Sequence, residues 1–377
     1  MSIFDDEPPL SEDPRRRSDR SVGHRPRRAL IGRWSLGVAI VIAVVFALLP
    51  SPYVIERPGP VFDTLGTAAH GDDQVPLIEI PDEETFPTEG ELNLLTVSVV
   101  GRPGATPNWF EVLGAWFDRT SSAVPTEAIF PPGVTQEDRD AENQAAMVDS
   151  QQDAIAAALV ELGYDFPREV TVVSIFDGSP ADGVLEAGDV IAAVNGTEVH
   201  AVNELRAAIA DNGTDAPAEL SIVRDGVPVQ VEAVPAEQSG QVVLGVGVRM
   251  EYEFPIDVEI RLDDVGGPSA GMMFALGIVD KLTPGAMTGG EIIAGTGTID
   301  AAGAVGAIGG IQQKLWGADG VGADWFLAPK ANCPEVAGHV PDGMRVFAIE
   351  HLDQAREVVE AIGAGEDTAA FPTCAVG

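Results

Sequence analysis

Two polar residues sit in glycine-rich, apolar surroundings that leave few other groups able to do chemistry. Ser269 lies in GGPSAGMMFALG, and Lys314 follows 45 positions later in GAIGGIQQKLWGA. A serine hydroxyl attacks a carbonyl efficiently only when a base takes its proton, and an uncharged amine can be that base. The chain holds 19 arginines and only three lysines, Lys281, Lys314 and Lys330. Arginine holds a charge but cannot release its proton, whereas a desolvated lysine can. An amine with an ordinary pKa of about 10.4 must fall to about 7–8 to serve at neutral pH, a shift of about 4 kcal/mol. Ile308, Ile311 and Leu315 are candidate apolar walls for such an amine.

Each residue also has a plainer reading. Ser269 stands where an apolar helix begins, so its hydroxyl suits an N-cap. Lys314 taken alone is a solvated surface cation. The two readings of Ser269 make different use of one feature, the open N–H groups and positive end of a helix. Those groups either bind the serine side chain or stabilise a developing oxyanion.

The elements that must position these residues follow from the pattern. DVEIRLDDVGGPSAGMMFALGIVDKL reads as strand, glycine-rich loop and helix ending near Leu282, with Gly266 and Gly267 allowing close backbone approach. AGTGTIDAAGAVGAIGGIQQKLWGADGVGADWFLAP reads as strand, glycine turn, helix and strand. Upstream, GELNLLTVSVV is a buried strand, NWFEVLGAWFDR has helical spacing, and DAENQAAMVDSQQDAIAAALVELG is a long helix stopped by Gly163. Residues 165–236 alternate as strands around Asn195-Gly196 and Asp225-Gly226 turns, with a helix presenting Val202, Leu205 and Ile209.

Charge and composition bound the remainder. The net charge of −37 excludes nucleic acid as a partner for most of the chain. Residues 1–33 nevertheless carry eight arginines, and the chain is uncharged from Trp34 to Ile55. We expect a basic cytoplasmic tail over 1–33 and a transmembrane helix over 34–55, with everything beyond exported. A cleaved secretory signal ending at Ala47 is the alternative. Outside the cytoplasm, Cys333 and Cys374 are a candidate disulfide tying the C-terminal tail to its domain. No zinc or other metal site is expected, because there is no C-x-x-C or H-E-x-x-H. Each lysine is followed by Leu or Ala, so no G-x-x-x-x-G-K-[ST] phosphate loop exists and no cofactor is expected.

Two resemblances sharpen this. GSPADGVLEAGDVIAAVNG resembles the PDZ domains of bacterial proteases, which bind extended peptides by strand addition. A purely bracing module is the plainer alternative, and LGYDF (162–166) is the candidate carboxylate-binding loop. GGPSAG and TGTIDAAGAVGAIGGIQQKL resemble the two catalytic motifs of the Lon protease family, matching through Gly297, Gly303, Gly309 and Gly310 into Lys314. That resemblance implies Ser269 as nucleophile, Lys314 as general base, and Thr296 and Gly267 as supporting residues. It departs from the family at Gly266 and Thr298, where acidic residues are usual.

The order of segments, over roughly 34–363, is similar to the bacterial membrane-anchored PDZ-containing Lon-like proteases. The implied fold is α+β, a Lon-type proteolytic domain with an inserted PDZ domain. Its expected parts are an N-terminal portion and linker helix (56–150), the PDZ domain (151–238), the proteolytic domain (239–365) and a tail (366–377). The implied function is ATP-independent cleavage of protein or peptide substrates outside the cytoplasm, and family members often form homo-oligomeric rings. Two rivals remain open. One is an inactive membrane-tethered peptide-binding scaffold. The other is an esterase, because GPSAG satisfies G-x-S-x-G and His339 or His351 could complete a triad with Asp319 or Asp324.

Overall fold

The computed structural model describes residues 27–70, 73–262 and 265–374. The arginines before residue 27 lie outside the described residues. A helix runs over Arg27–Leu48, not to Ile55 as the uncharged stretch suggested. Pro50 and Pro52 cannot continue a helix. Tyr53–Ile55 instead open the strand Tyr53–Asp63, and Val54 and Ile55 are fully buried against the strand Ser122–Pro125. Among the described residues no helix is long and apolar enough to cross a membrane.

Strand Tyr53–Asp63 belongs to a six-stranded mixed sheet. The spatial order is Arg345–Ile349, Trp325–Pro329, Ile292–Gly295, Glu91–Val100, Tyr53–Asp63 and Ser122–Pro125. The first four strands are parallel, and the last three form antiparallel pairs. Period-two alternation splits their side chains between two cores. Leu92, Leu94, Ile293 and Leu327 face one core with the helices Gln136–Glu161, Gly271–Leu282 and Leu352–Gly363. Leu95, Ala294, Phe326 and Ala328 face the other, which is covered by the helix Ile311–Gly320. Two helices on opposite faces thus come from the two glycine-rich motifs, and the end of the central strands lies between them.

A second sheet, built from Arg168–Ile175, Val190–Val194, Ala218–Arg224, Val227–Ala233 and Val246–Tyr252, forms its own core around Val172, Ile191, Leu205 and Leu220. Its edge strand Val246–Tyr252 pairs with Arg168–Ile175, so this unit extends past residue 238. The helix Gln136–Glu161 lies outside it, since Met147 and Ala154–Leu159 pack in the core of the six-stranded sheet. Asp189, in the Gly188-Asp189 turn, is buried and takes two bonds from Arg224 at 2.6–2.7 Å, which hold its carboxyl below the usual range. The insertion separates neighbours in the larger sheet: Glu91 pairs with Ile292 across the whole inserted unit.

Cys333 and Cys374 are joined, closing a loop of 41 positions. Asn332, beside the bridge, is buried, and its side-chain amide accepts from the Ile308 N–H at 3.0 Å and donates to the Ile308 carbonyl at 2.8 Å, just before the Lys314 helix. Removing the cross-link from a loop this long should cost about 3–4 kcal/mol by the chain-entropy account. We expect Cys374→Ser to lower the melting temperature, and a reductant to have the same effect on the wild type and none on the variant.

Candidate active site

Glycine sets the approach of each reactive side chain. Gly310 starts the Lys314 helix in the left-handed region (φ +66°), and a Cβ there would come within 2.7 Å of Val97 on the central strand. The helix can therefore begin close enough to the sheet for Lys314, one turn later, to reach across the strand end. On the other face, a Cβ on Gly271 would meet Ile299 and Ser150 at 2.9 Å, so the helix Gly271–Leu282 also starts in close contact.

Between them, Lys314 Nζ lies 2.7 Å from Ser269 Oγ and 2.8 Å from Thr296 Oγ1. Ser269 caps nothing: the helix starts at Gly271 with Ala270 at its cap and no side-chain capping bond. Thr296 follows the end of strand Ile292–Gly295 and is fully buried. Its hydroxyl donates to the Ser269 carbonyl at 2.9 Å. With that proton committed, the Thr296 oxygen accepts from the lysine amine. In its neutral form the amine then keeps a lone pair for the serine hydroxyl.

The Lys314 side chain is only 2% exposed, and burial pulls its pKa down to about 7. Desolvation is the whole cause, because the ammonium form loses its water. Ile311 and Leu315, two of the three expected apolar walls, are buried on the same helix, and Ile308 packs beside them. Gly267 N–H donates to the Asn143 carbonyl and Met272 N–H to the Gly297 carbonyl. The Ser269 and Ala270 N–H groups have no partner among the described residues.

Gly266 has a steric reason. A Cβ there would meet Asn143 Cβ at 2.7 Å, so the long helix occupies the space a larger residue would need. Thr298 pairs with Gly306 in a short ladder, where its Oγ1 would lie 2.3 Å from any added Gly306 Cβ. A cleft of about 350 Å³ opens over the serine, lined by Leu94, Thr96, Val97, Met147, Pro268 and Lys314 among others. The strand Glu91–Val100 loses its parallel neighbour after Leu94, where Ile292–Gly295 ends, so Thr96–Ser98 face this cleft beside the serine. The two histidines of the esterase reading lie elsewhere. His339 contacts the Ala337 carbonyl, His351 stands just before the helix Leu352–Gly363 without a side-chain capping bond, and neither bonds Ser269.

These features agree with what known proteins share with this chain. Residues 263–362 match the Lon protease (S16) C-terminal proteolytic domain. The C-terminal region is thus similar to a Lon-type proteolytic domain. Residues 133–234 match the PDZ domain. The Lon protease of Clostridioides difficile is 37% identical over 94 residues, 24% of this chain and 12% of that protein. Lon protease 1 of Bacillus subtilis is 29% identical over 119 residues, 30% of this chain and 15% of that protein. The chain thus spans only about an eighth of the length of the curated relatives it matches. Among solved structures, the PDZ domain of the SdrC-like protein from Listeria monocytogenes aligns over 21% of this chain and 85% of its own, at 22% identity and a TM-score of 0.20.

The PDZ unit has a groove of about 320 Å³ between the helix Val202–Asn212 and the edge strand Val246–Tyr252. Leu205, Ile209, Phe176 and the Leu244–Val248 turn line it. LGYDF does not reach this groove. Phe166 is buried against Tyr252 and Phe254 at the far end of the strand. The signal that could have located the groove is QVVLGVGV, where glycines alternate with aliphatic residues at the start of an edge strand.

Proposed function

We propose that this chain is an ATP-independent serine endopeptidase in which Ser269 is the nucleophile and Lys314 the general base. The observation that carries the reading is a buried amine of lowered pKa, 2.7 Å from a serine hydroxyl that performs no capping. The neutral amine takes the Ser269 proton as Oγ attacks a peptide carbonyl, and the ammonium then protonates the departing amine. The Ser269 and Ala270 N–H groups at the helix start face the developing oxyanion. An acyl-enzyme ester remains, and water activated by the same amine releases the second product. Substrate lies extended in the cleft beside Thr96–Ser98, where backbone groups of an otherwise central strand are free to pair. The PDZ groove holds a second extended segment of the same protein substrate.

Hydrolysis of an unstructured protein such as casein, without nucleotide, tests this. A serine-reactive phosphonate should block it by labelling Ser269. Undiminished digestion after full labelling, or labelling confined to another residue, would remove Ser269 from the mechanism.

We also propose that the protein is held at a membrane with its two domains outside the cytoplasm. The described side chains from Trp34 to Leu49 are exposed, and the chain is uncharged from Trp34 to Ile55. Beside this helix, Phe46 packs on Trp109 and Phe110, and Phe110, Leu113, Trp116 and Phe117 are exposed on a short neighbouring helix. So much unpaired apolar and aromatic surface suits a lipid interface. The full chain should stay with membranes through an alkaline carbonate wash, and deletion of residues 27–48 should release it. Release of the intact chain by the wash would sink this proposal.

A further inference from the structure

The long helix Gln136–Glu161 has a second task besides filling the core. One face of it, at a spacing of four and three residues, carries Asn143, Met147 and Ser150 toward the nucleophile loop. The Asn143 carbonyl accepts the Gly267 N–H at 2.7 Å. Ser150, 3% exposed, donates its hydroxyl to the Pro268 carbonyl at 2.9 Å, and Pro268 immediately precedes Ser269. Two turns of one helix thus hold both residues before the serine, while Thr296 and Gly297 hold its carbonyl from the other side.

One turn beyond Ser150, Asp153 accepts a 2.5 Å bond from the Tyr252 hydroxyl. Tyr252 ends the same edge strand whose beginning, Val246–Val248, lines the PDZ groove. The other wall of the groove is tied in as well. Asn203, on the helix Val202–Asn212, donates to Asp300 at 3.0 Å, four residues after Thr296.

We propose that Ser150 is a positioning residue for the nucleophile, and that the Tyr252–Asp153 bond couples its grip on Pro268 to the PDZ groove strand. The inference rests on the reading of Ser269 as nucleophile. Ser150 touches neither substrate nor the reacting atoms. It fixes the backbone on which Ser269 is mounted, so its loss misplaces Oγ relative to Lys314 and the helix-start N–H groups. A displacement of about an ångström is enough to lower turnover a hundredfold. A strand shifted by a bound peptide would move Tyr252, and with it the turn of helix that carries Ser150.

The test is a double-mutant cycle on the full chain, using casein digestion and the rate of phosphonate labelling. Ser150→Ala should lower kcat by about tenfold or more with KM within about twofold, and leave the apparent pKa of the acid limb in place. Tyr252→Phe keeps the ring packing but loses the bond, and should lower kcat by about threefold in the wild type and not at all in Ser150→Ala. Wild-type kcat in Ser150→Ala would overturn the positioning role, and effects that simply multiply would overturn the coupling. A wild-type chain that neither digests casein nor reacts with the phosphonate would instead overturn the proposed function, and this inference with it.

Discussion

Lys314→Met should abolish proteolysis and stabilise the protein. Removing one member of a nucleophile–base pair typically lowers turnover by about 10⁴–10⁶-fold, and Ser269→Ala should fall in the same range. The stability gain follows from linkage. In the folded protein the amine titrates at about 7, against about 10.4 in the unfolded chain. Between those two values the unfolded chain binds the additional proton, so wild-type stability rises with pH across that window. Below pH 7 the folded state bears the full penalty of a buried cation, about 5 kcal/mol. Methionine has similar length and no charge, so its advantage should be largest at pH 7 and below and vanish above about pH 10.4. The difference between the two proteins' unfolding free energies, measured against pH, isolates this one group. A flat difference, or a variant less stable at every pH, would mean that the amine is not buried without its proton.

The second large effect concerns pH and Thr296. If the neutral amine is the base, kcat/KM should fall about tenfold per unit below an apparent pKa near 7. Thr296→Val removes the oxygen that accepts from Nζ and the hydroxyl that holds the Ser269 carbonyl. Losing the acceptor disfavours the ammonium form, so the limb should move to lower pH. Losing the orientation should lower kcat by about 10²-fold. A variant with an unchanged limb and near-normal turnover would show that Thr296 is only a core residue.

The site was legible in the sequence where it depends on local pattern. Glycines spaced through GGPSAG and GAIGGIQQKL, with a rare lysine among apolar neighbours, point to Ser269 and Lys314; Thr296 enters only through the resemblance of TGTIDAAGAVGAIGGIQQKL to a Lon motif, and all three meet around one amine. The capping alternative for Ser269 failed because the helix begins two residues later than the serine. What stayed hidden depends on neighbours distant in sequence. Nothing near Gly266 reveals that Asn143 will pack against it, and Ser150 and Asp153 look like routine polar positions on a long helix. The helix limit expected at residue 55 is misplaced for a related reason. Val54 and Ile55 are as apolar as the preceding helix, but they belong to a strand that pairs with Ala123 and Val124. LGYDF, the expected carboxylate-binding loop, lies away from the groove because sequence alone does not say which strand becomes the edge.

The inserted unit also sets a timetable for synthesis. Glu91–Val100 leaves the ribosome about 200 residues ahead of Ile292–Gly295, the strand that completes its pairing. At about 5–20 residues per second, that interval lasts roughly 10–40 s. The inserted sheet is complete by Tyr252, so it can close while the earlier strands still wait with an unsatisfied hydrogen-bonding edge. Through that interval the early strands need a partner such as a holdase to keep them from joining another copy.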